Sequence, residues 1–242
     1  MAVASKVTDS VRAIVLGRVP YGDHDLIVPV LSAEAGRLSV FARSPRSKRK
    51  AWYALLVPGN TVDLRFSARR RGELLTLAQV DLVDDRTVEM SDPNVLVRAA
   101  YLLELVSAST RDGVAALSLA RALELALDAL AEPETSRWME LQTLRHLGVE
   151  PDPDCCSRCG TELVDGAALD PKGQGLNCRR CMPRGRHYPR AVLDRLRNLS
   201  ETVVPTGGSS DHQLGVLLGR ALRLQIGVLK SAKVAASLKP KV

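Results

Sequence analysis

The sequence predicts an α+β protein: an N-terminal five-stranded barrel, then a helical bundle interrupted by a four-cysteine knuckle. Three observations carry that reading. Short runs rich in Val, Leu and Ile, separated by turn residues, fill the first 82 positions. Apolar residues recur at helical spacing from Asp92 onward. Two Cys-x-x-Cys pairs stand in a stretch with little periodicity of its own, between 151 and 189. The expected divisions are 1–83 for the barrel, 84–150 for the first helices, 151–188 for the knuckle and 189–242 for the last helices.

The expected strands are 12–16, 26–31, 37–42, 61–66 and 74–83. Turns fall at Tyr21-Gly22-Asp23, Ala35-Gly36, Pro58-Gly59-Asn60 and Arg71-Gly72-Glu73. Five short strands suit an OB-type barrel. An SH3-like barrel suits the same runs, because periodicity does not specify topology.

Asp92-Pro93 reads as an N-cap with Pro at the first helical position. Leu96, Ala99, Ala100, Leu103 and Val106 follow at helical spacing. A second helix is expected over 114–131 and a third from Pro133, ended by Gly148. Two more are expected over 189–199 and 211–238, joined by a loop at 205–210.

The sharpest local signal is Cys156-Ser157-Arg158-Cys159-Gly160 with Cys178-Arg179-Arg180-Cys181, an 18-residue gap between the pairs. Two Cys two apart turn both sulfurs inward, and two such pairs complete a tetrahedron that suits Zn²⁺. Four thiolates leave no open position for water, so the expectation is one structural zinc per chain on Cys156, Cys159, Cys178 and Cys181. Cys155 is left over, and its neighbour Cys156 gives the commoner knuckle spacing. An odd Cys count with this pairing points to a reducing compartment rather than a disulfide framework.

Charge is uneven along the chain. The total of +7 divides into +6 over 1–82, −7 over 83–153, +3 over 154–190 and +5 over 191–242. Two dense clusters lie in the first segment: Arg43, Arg46, Lys48, Arg49 and Lys50 before Trp52 and Tyr53, then Arg65, Arg69, Arg70 and Arg71 beside Phe66. If 61–83 is a hairpin, Arg69–Arg71 sit at its tip. Cationic loops with interleaved aromatics are how OB-folds hold single strands. Contacts from Arg and Lys to phosphate should then dominate, with strong salt dependence and weak sequence preference. Arg179 and Arg180 either extend that surface or offset the thiolates, whose charge with one Zn²⁺ is net −2.

Several classes fall away. No apolar run reaches the roughly 18 residues of a membrane span; the longest uncharged run, 51–62, contains Pro58 and Gly59. The first residues lack a basic region followed by an apolar block, so no secretory leader is expected. Neither a GxxxxGK[ST] loop nor a GxGxxG is present. Asp23-His24-Asp25 lies in a turn and reads as solvated. No constellation assembles an enzyme.

The order of parts resembles the RecO family of bacterial recombination mediators. The residues that carry the likeness are Ala13-Ile14-Val15-Leu16, Tyr21-Gly22-Asp23-His24-Asp25, Glu34-Ala35-Gly36-Arg37-Leu38-Ser39, the Leu147-Gly148 helix end, the 153–160 knuckle and Leu229-Lys230-Ser231. The resemblance implies an OB-fold at the N-terminus, no enzymatic turnover, binding of single- and double-stranded DNA, and annealing of complementary strands. It further implies partnership with RecR and with the acidic tail of single-strand-binding protein, to load RecA in the cytoplasm at the nucleoid. Arg37, Arg43, Arg46 and Lys48–Lys50 match the family's basic barrel face. Ser44 stands where the family often has Gly, and Ala232 where a basic residue is common. An RNA-binding or transcription-associated zinc-ribbon module is the alternative reading. A hydrolase with a catalytic zinc is a third.

Overall fold

The computed structural model describes residues 10–47, 51–71, 74–204 and 211–231, with backbone alone for 68–71. The first part is built from β1 (Val11–Val15), β2 (Val19–Tyr21), β3 (Asp25–Ser32), β4 (Gly36–Ala42), the short helix α1 (Trp52–Leu55), β5 (Thr61–Arg71) and β6 (Leu74–Asp84). Strand pairing follows the order β1-β5-β6-β4-β3-β2, and β1 also pairs with β3. The ladders therefore run in a closed circuit through β1, β5, β6, β4 and β3. Only β4 and β6 are parallel within it, at Val40↔Leu75 and Phe41↔Thr76.

Alternation explains the enclosure. Along β3 and β4 every second residue turns inward, and Val28, Val30, Val40 and Ala42 are almost fully buried with Val62 and Leu64 of β5. β1 serves two cores. Ala13 and Val15 face this interior, while Ile14 and Leu16 join Leu31 in the core formed by the helices.

Three expectations need correction. The sheet has six strands, not five. The extra one, β2, pairs Val19↔Ile27 outside the circuit, and all three of its residues are exposed, so no burial pattern marked it. The fourth expected strand continues from 66 to Arg71, where its polar residues broke the apolar signal. The last helix does not run from 211 to 238. It ends at Ile226, where Gly227 turns to φ 82°, a conformation that breaks the helical path; residues 232–238 lie outside the described part.

The second part opens with a 3₁₀ turn (Glu89–Ser91), followed by α2 (Pro93–Ser109), α3 (Leu117–Asp128) and α4 (Thr135–His146). Asp92 caps α2 as expected, its carboxylate accepting from the Asn94 N–H at 2.7 Å. Gly148, at φ 72°, ends α4 by donating to the Arg145 carbonyl at 3.0 Å. Next comes a small sheet, β7 (Ala167–Leu169), β8 (Leu176–Asn177) and β9 (His187–Tyr188), with β7 central. Helices α5 (Arg190–Glu201) and α6 (His212–Ile226) complete the described chain.

The helices bury Leu102, Leu105, Leu123, Met139, Leu141, Leu193 and Leu217 against one another. Leu163, Leu169, Leu176 and Tyr188 of the small sheet region enter the same core. Inside it, the Tyr101 hydroxyl donates to Glu140 at 2.6 Å, and Arg137 pairs with the same carboxylate at 2.5 Å. Burial, then the Glu140 charge, pushes the Tyr101 hydroxyl far above its usual range, so it stays a donor.

Two arginines join the parts. Arg86, only 6% exposed, donates to Asp128 of α3 at 2.7 Å and 3.0 Å, to Thr61 Oγ1 at 2.9 Å and to the Gly59 carbonyl at 3.2 Å. Arg37 donates to Asp112 at 2.5 Å and to the Ser107 carbonyl at 2.7 Å. Beside it, Gly36 at φ 71° lies so close to the Val114 carbonyl that a Cβ would come within 1.9 Å of its oxygen.

Candidate nucleic-acid interface and metal centre

The four expected thiols converge. The Sγ atoms of Cys156, Cys159, Cys178 and Cys181 all lie within 4.8 Å of one another. The two pairs use the same turn. Gly160 N–H donates to the Cys156 carbonyl at 2.8 Å, and Met182 N–H to the Cys178 carbonyl at 3.0 Å. Gly160 takes φ 70°, which its lack of a Cβ permits. The Cys178 N–H also donates to Cys156 Sγ at 3.3 Å. Cys155 is exposed and outside the cluster.

This donor set fits a tetrahedral, thiophilic cation. Cys159 is brought down to about 5, first by the Thr161 hydroxyl and then by the Thr161 backbone N–H. Cys181 is pushed up to about 12, first by its hydrogen bond to Cys159. Crowded thiols thus resist full ionisation, and a divalent charge at their centre removes that resistance. Exposed Arg180 is held at the Cys159 sulfur, which raises its own pKa. Its guanidinium therefore serves the cluster, whereas Arg179 is exposed beside it.

The basic residues separate into groups. Arg46 is exposed, with its guanidinium carbon 4.4 Å from the Tyr53 ring centroid and its Nη2 donating to the Tyr53 hydroxyl at 3.1 Å. Arg18 lies at the same 4.4 Å from that ring and donates to the Tyr53 carbonyl at 3.1 Å. The Arg46 hydrogen bond, then the Arg18 charge, lowers the Tyr53 hydroxyl. The result is a cation–aromatic stack at the surface. Arg43, at the end of β4, and Arg65, on β5, are also exposed. The backbone of Arg69–Arg71 occupies the end of β5, and Arg71 pairs with Leu74 across the hairpin. Lys48, Arg49 and Lys50 lie outside the described residues.

Arg37 stands apart. Its guanidinium is spent on Asp112 and Ser107 at the junction of the two parts, so it fastens the sheet rather than joining the stack. Arg18 was not singled out from sequence, because it stands alone between Gly17 and Val19 and forms no cluster. Among the aromatics, Trp52 and Phe41 are buried, Tyr53 and Phe66 half-buried, and Tyr21 exposed, edge-on to Phe41 at 5.8 Å.

Asp23 and His24 are exposed, as expected of a turn. Asp25 has a further role: its Oδ1 accepts the Ser44 N–H at 2.9 Å, and Ser44 adopts φ 46°. The family's Gly at this position is thus explained by a left-handed backbone that Ser adopts under the hold of Asp25. Between this turn and residues 44–47 lies a cleft of about 380 Å³.

A closed circuit of strands bearing a cationic stack, pinned to helices that carry a four-thiol ribbon, defines a class of two-part proteins with a basic sheet unit and a metal-binding insert. The family model "Recombination protein O N terminal" matches residues 7–86, and "Recombination protein O C terminal" matches residues 90–230. Relatives named DNA repair protein RecO are 31% identical in Pelobacter propionicus, over 90% of this chain and 92% of that one, and 32% identical in Myxococcus xanthus, over 78% and 80%. Another from Rubrobacter xylanophilus is 32% identical over 94% and 93%. The chain belongs to the RecO family.

Proposed function

We propose that the protein is a non-enzymatic DNA-binding and strand-annealing mediator of recombination and repair. The observation that carries this reading is the Arg18–Tyr53–Arg46 stack on the strand circuit, with Arg43 and Arg65 exposed on the same small unit. We read that unit, residues 1–83, as an OB-type barrel; its closed ladder with one parallel pair supports this. Lys48–Lys50 and Arg69–Arg71 extend the cationic face by their sequence position. Arg179 adds to it from the knuckle, 151–188, and Arg180 mainly balances the thiolates. Cationic loops neutralise two strands at once, lower their repulsion, and let complementary bases pair without nucleotide hydrolysis.

The four thiols hold one structural Zn²⁺. Zinc supplies the cross-link between the two turns, and the residues around it set the ribbon against the helices, 84–150 and 189–242. RecR and the acidic tail of single-strand-binding protein are the expected partners in loading RecA at the nucleoid. No helix among the described residues is long and apolar enough to cross a membrane.

Charge reversal tests the reading. A chain carrying Arg46→Glu, Arg49→Glu and Arg70→Glu should keep its thermal transition and lose binding to single-stranded DNA. Unchanged affinity would place the interface elsewhere, and preferred binding of RNA would favour a transcription-associated module.

A further inference from the structure

The cleft beside the Arg46 stack has a chemistry that phosphate binding does not use. One wall is the turn from β2 to β3, with Asp23, His24 and Asp25; the other is the segment after β4, with Ser44, Pro45 and Arg46. The walls are tied together where Asp25 accepts the Ser44 N–H at 2.9 Å. At about 380 Å³ the cleft is near the small end of ligand pockets, a size for one planar group rather than a stacked run.

Its charges are ordered. Arg46 lines the cleft and also contacts the Tyr53 ring, as Arg18 does, so the cationic groups stand at one side. The opposite wall carries the Asp23 and Asp25 carboxylates. A phosphate is drawn to the arginines and repelled from that wall. An unstacked base is not repelled, and its edge can meet the carboxylate. An ionised carboxylate only accepts hydrogen bonds. Cytosine, adenine and guanine offer an exocyclic amino donor to it, and thymine does not. The His24 imidazole and the Pro45 ring supply flat surfaces of the kind on which flipped-out bases stack.

We propose that this cleft takes a single unstacked nucleobase bearing an exocyclic amino group, and that Asp23 reads that group while Arg46 and Arg18 hold the adjoining phosphate. The proposal rests on the DNA-binding reading above and adds a base preference to it. Asp25 is occupied in shaping the cleft, which leaves the exposed Asp23 as the reader.

The test is a titration of the full-length, metal-loaded protein against labelled oligo-dC and oligo-dT of equal length at one salt concentration. The account expects oligo-dC to bind about 10-fold more tightly. Asp23→Ala and Asp23→Asn should each bring the ratio close to one, with oligo-dT binding no worse. Equal binding of both oligonucleotides by the wild-type chain overturns this inference and leaves the DNA-binding reading standing. A preference that survives both substitutions overturns Asp23 as the reader. Failure to bind either oligonucleotide overturns both.

Discussion

Single side chains decide how the two parts meet. Arg86 is buried, yet its partners Asp84 and Asp128 remain about 60% exposed. Losing the guanidinium therefore strands no buried carboxylate; it leaves the Gly59 carbonyl and the Thr61 hydroxyl short of a donor. Arg86→Met should destabilise the fold by about 2 kcal/mol, read as a lowered denaturant midpoint. A loss under about 0.5 kcal/mol would mean that the contact carries no stability. Ser44 offers the opposite sign. At φ 46° a side chain is strained, and Ser44→Gly should gain up to about 1 kcal/mol in the same experiment while DNA affinity holds. A destabilised Ser44→Gly would show that the Ser44 side chain contributes more than its backbone strain costs. At this scale sequence was a partial guide. Arg46 was legible from its cluster, but Arg37, equally basic, is drawn to Asp112, a partner 75 positions away. Only the fold brings such pairs together, and it likewise recruits the isolated Arg18.

Elements follow their own rules. The ribbon's apolar residues enter the helical core, while its two turns are joined only through the thiol cluster. Metal analysis should find one zinc per chain. A chain with Cys156→Ser and Cys159→Ser should lose it and show faster amide exchange in 155–181 than in α2–α4; an intact metal would refute the ligand set. A second element-scale device is Glu104 on α2, which accepts from the N–H groups of Lys230 and Ser231 at 2.8 Å and 2.7 Å. Burial opposes its charge, but the Ser231 hydroxyl and these two N–H groups outweigh burial and hold the carboxyl below its usual range. A depressed carboxylate stabilises the fold above its unfolded pKa, and that contribution is lost as pH falls through the folded value. The stability gap between wild type and Glu104→Gln should thus be present at pH 7 and vanish below about pH 4. A gap that persists in acid would contradict this. Elements with caps and apolar periodicity, such as α2 and α4, were legible in the sequence. β2 was not, because three exposed residues leave no pattern to read. The end of α6 at Gly227 was passed over because apolar residues continue beyond it.

The whole molecule is a basic sheet unit fastened to helices drawn largely from the acidic stretch, 83–153, with a net −7. β1 belongs to both cores, so the two parts are joined by packing as well as by Arg37 and Arg86. The charge division was visible before any fold. What sequence could not supply was the circuit of pairings that sets Arg18 and Arg46 on one tyrosine, since strand register depends on contacts across the chain. The acidic helices do not suit a phosphate surface, which confines DNA to the sheet unit and its neighbouring loops. The central claim is that this surface brings two strands together by charge neutralisation alone. Its most direct test is the annealing rate of complementary oligonucleotides, without ATP, across a salt series. The account predicts annealing well above the spontaneous rate at low salt, falling steeply as salt rises. Annealing no faster than the spontaneous rate at low salt would contradict it.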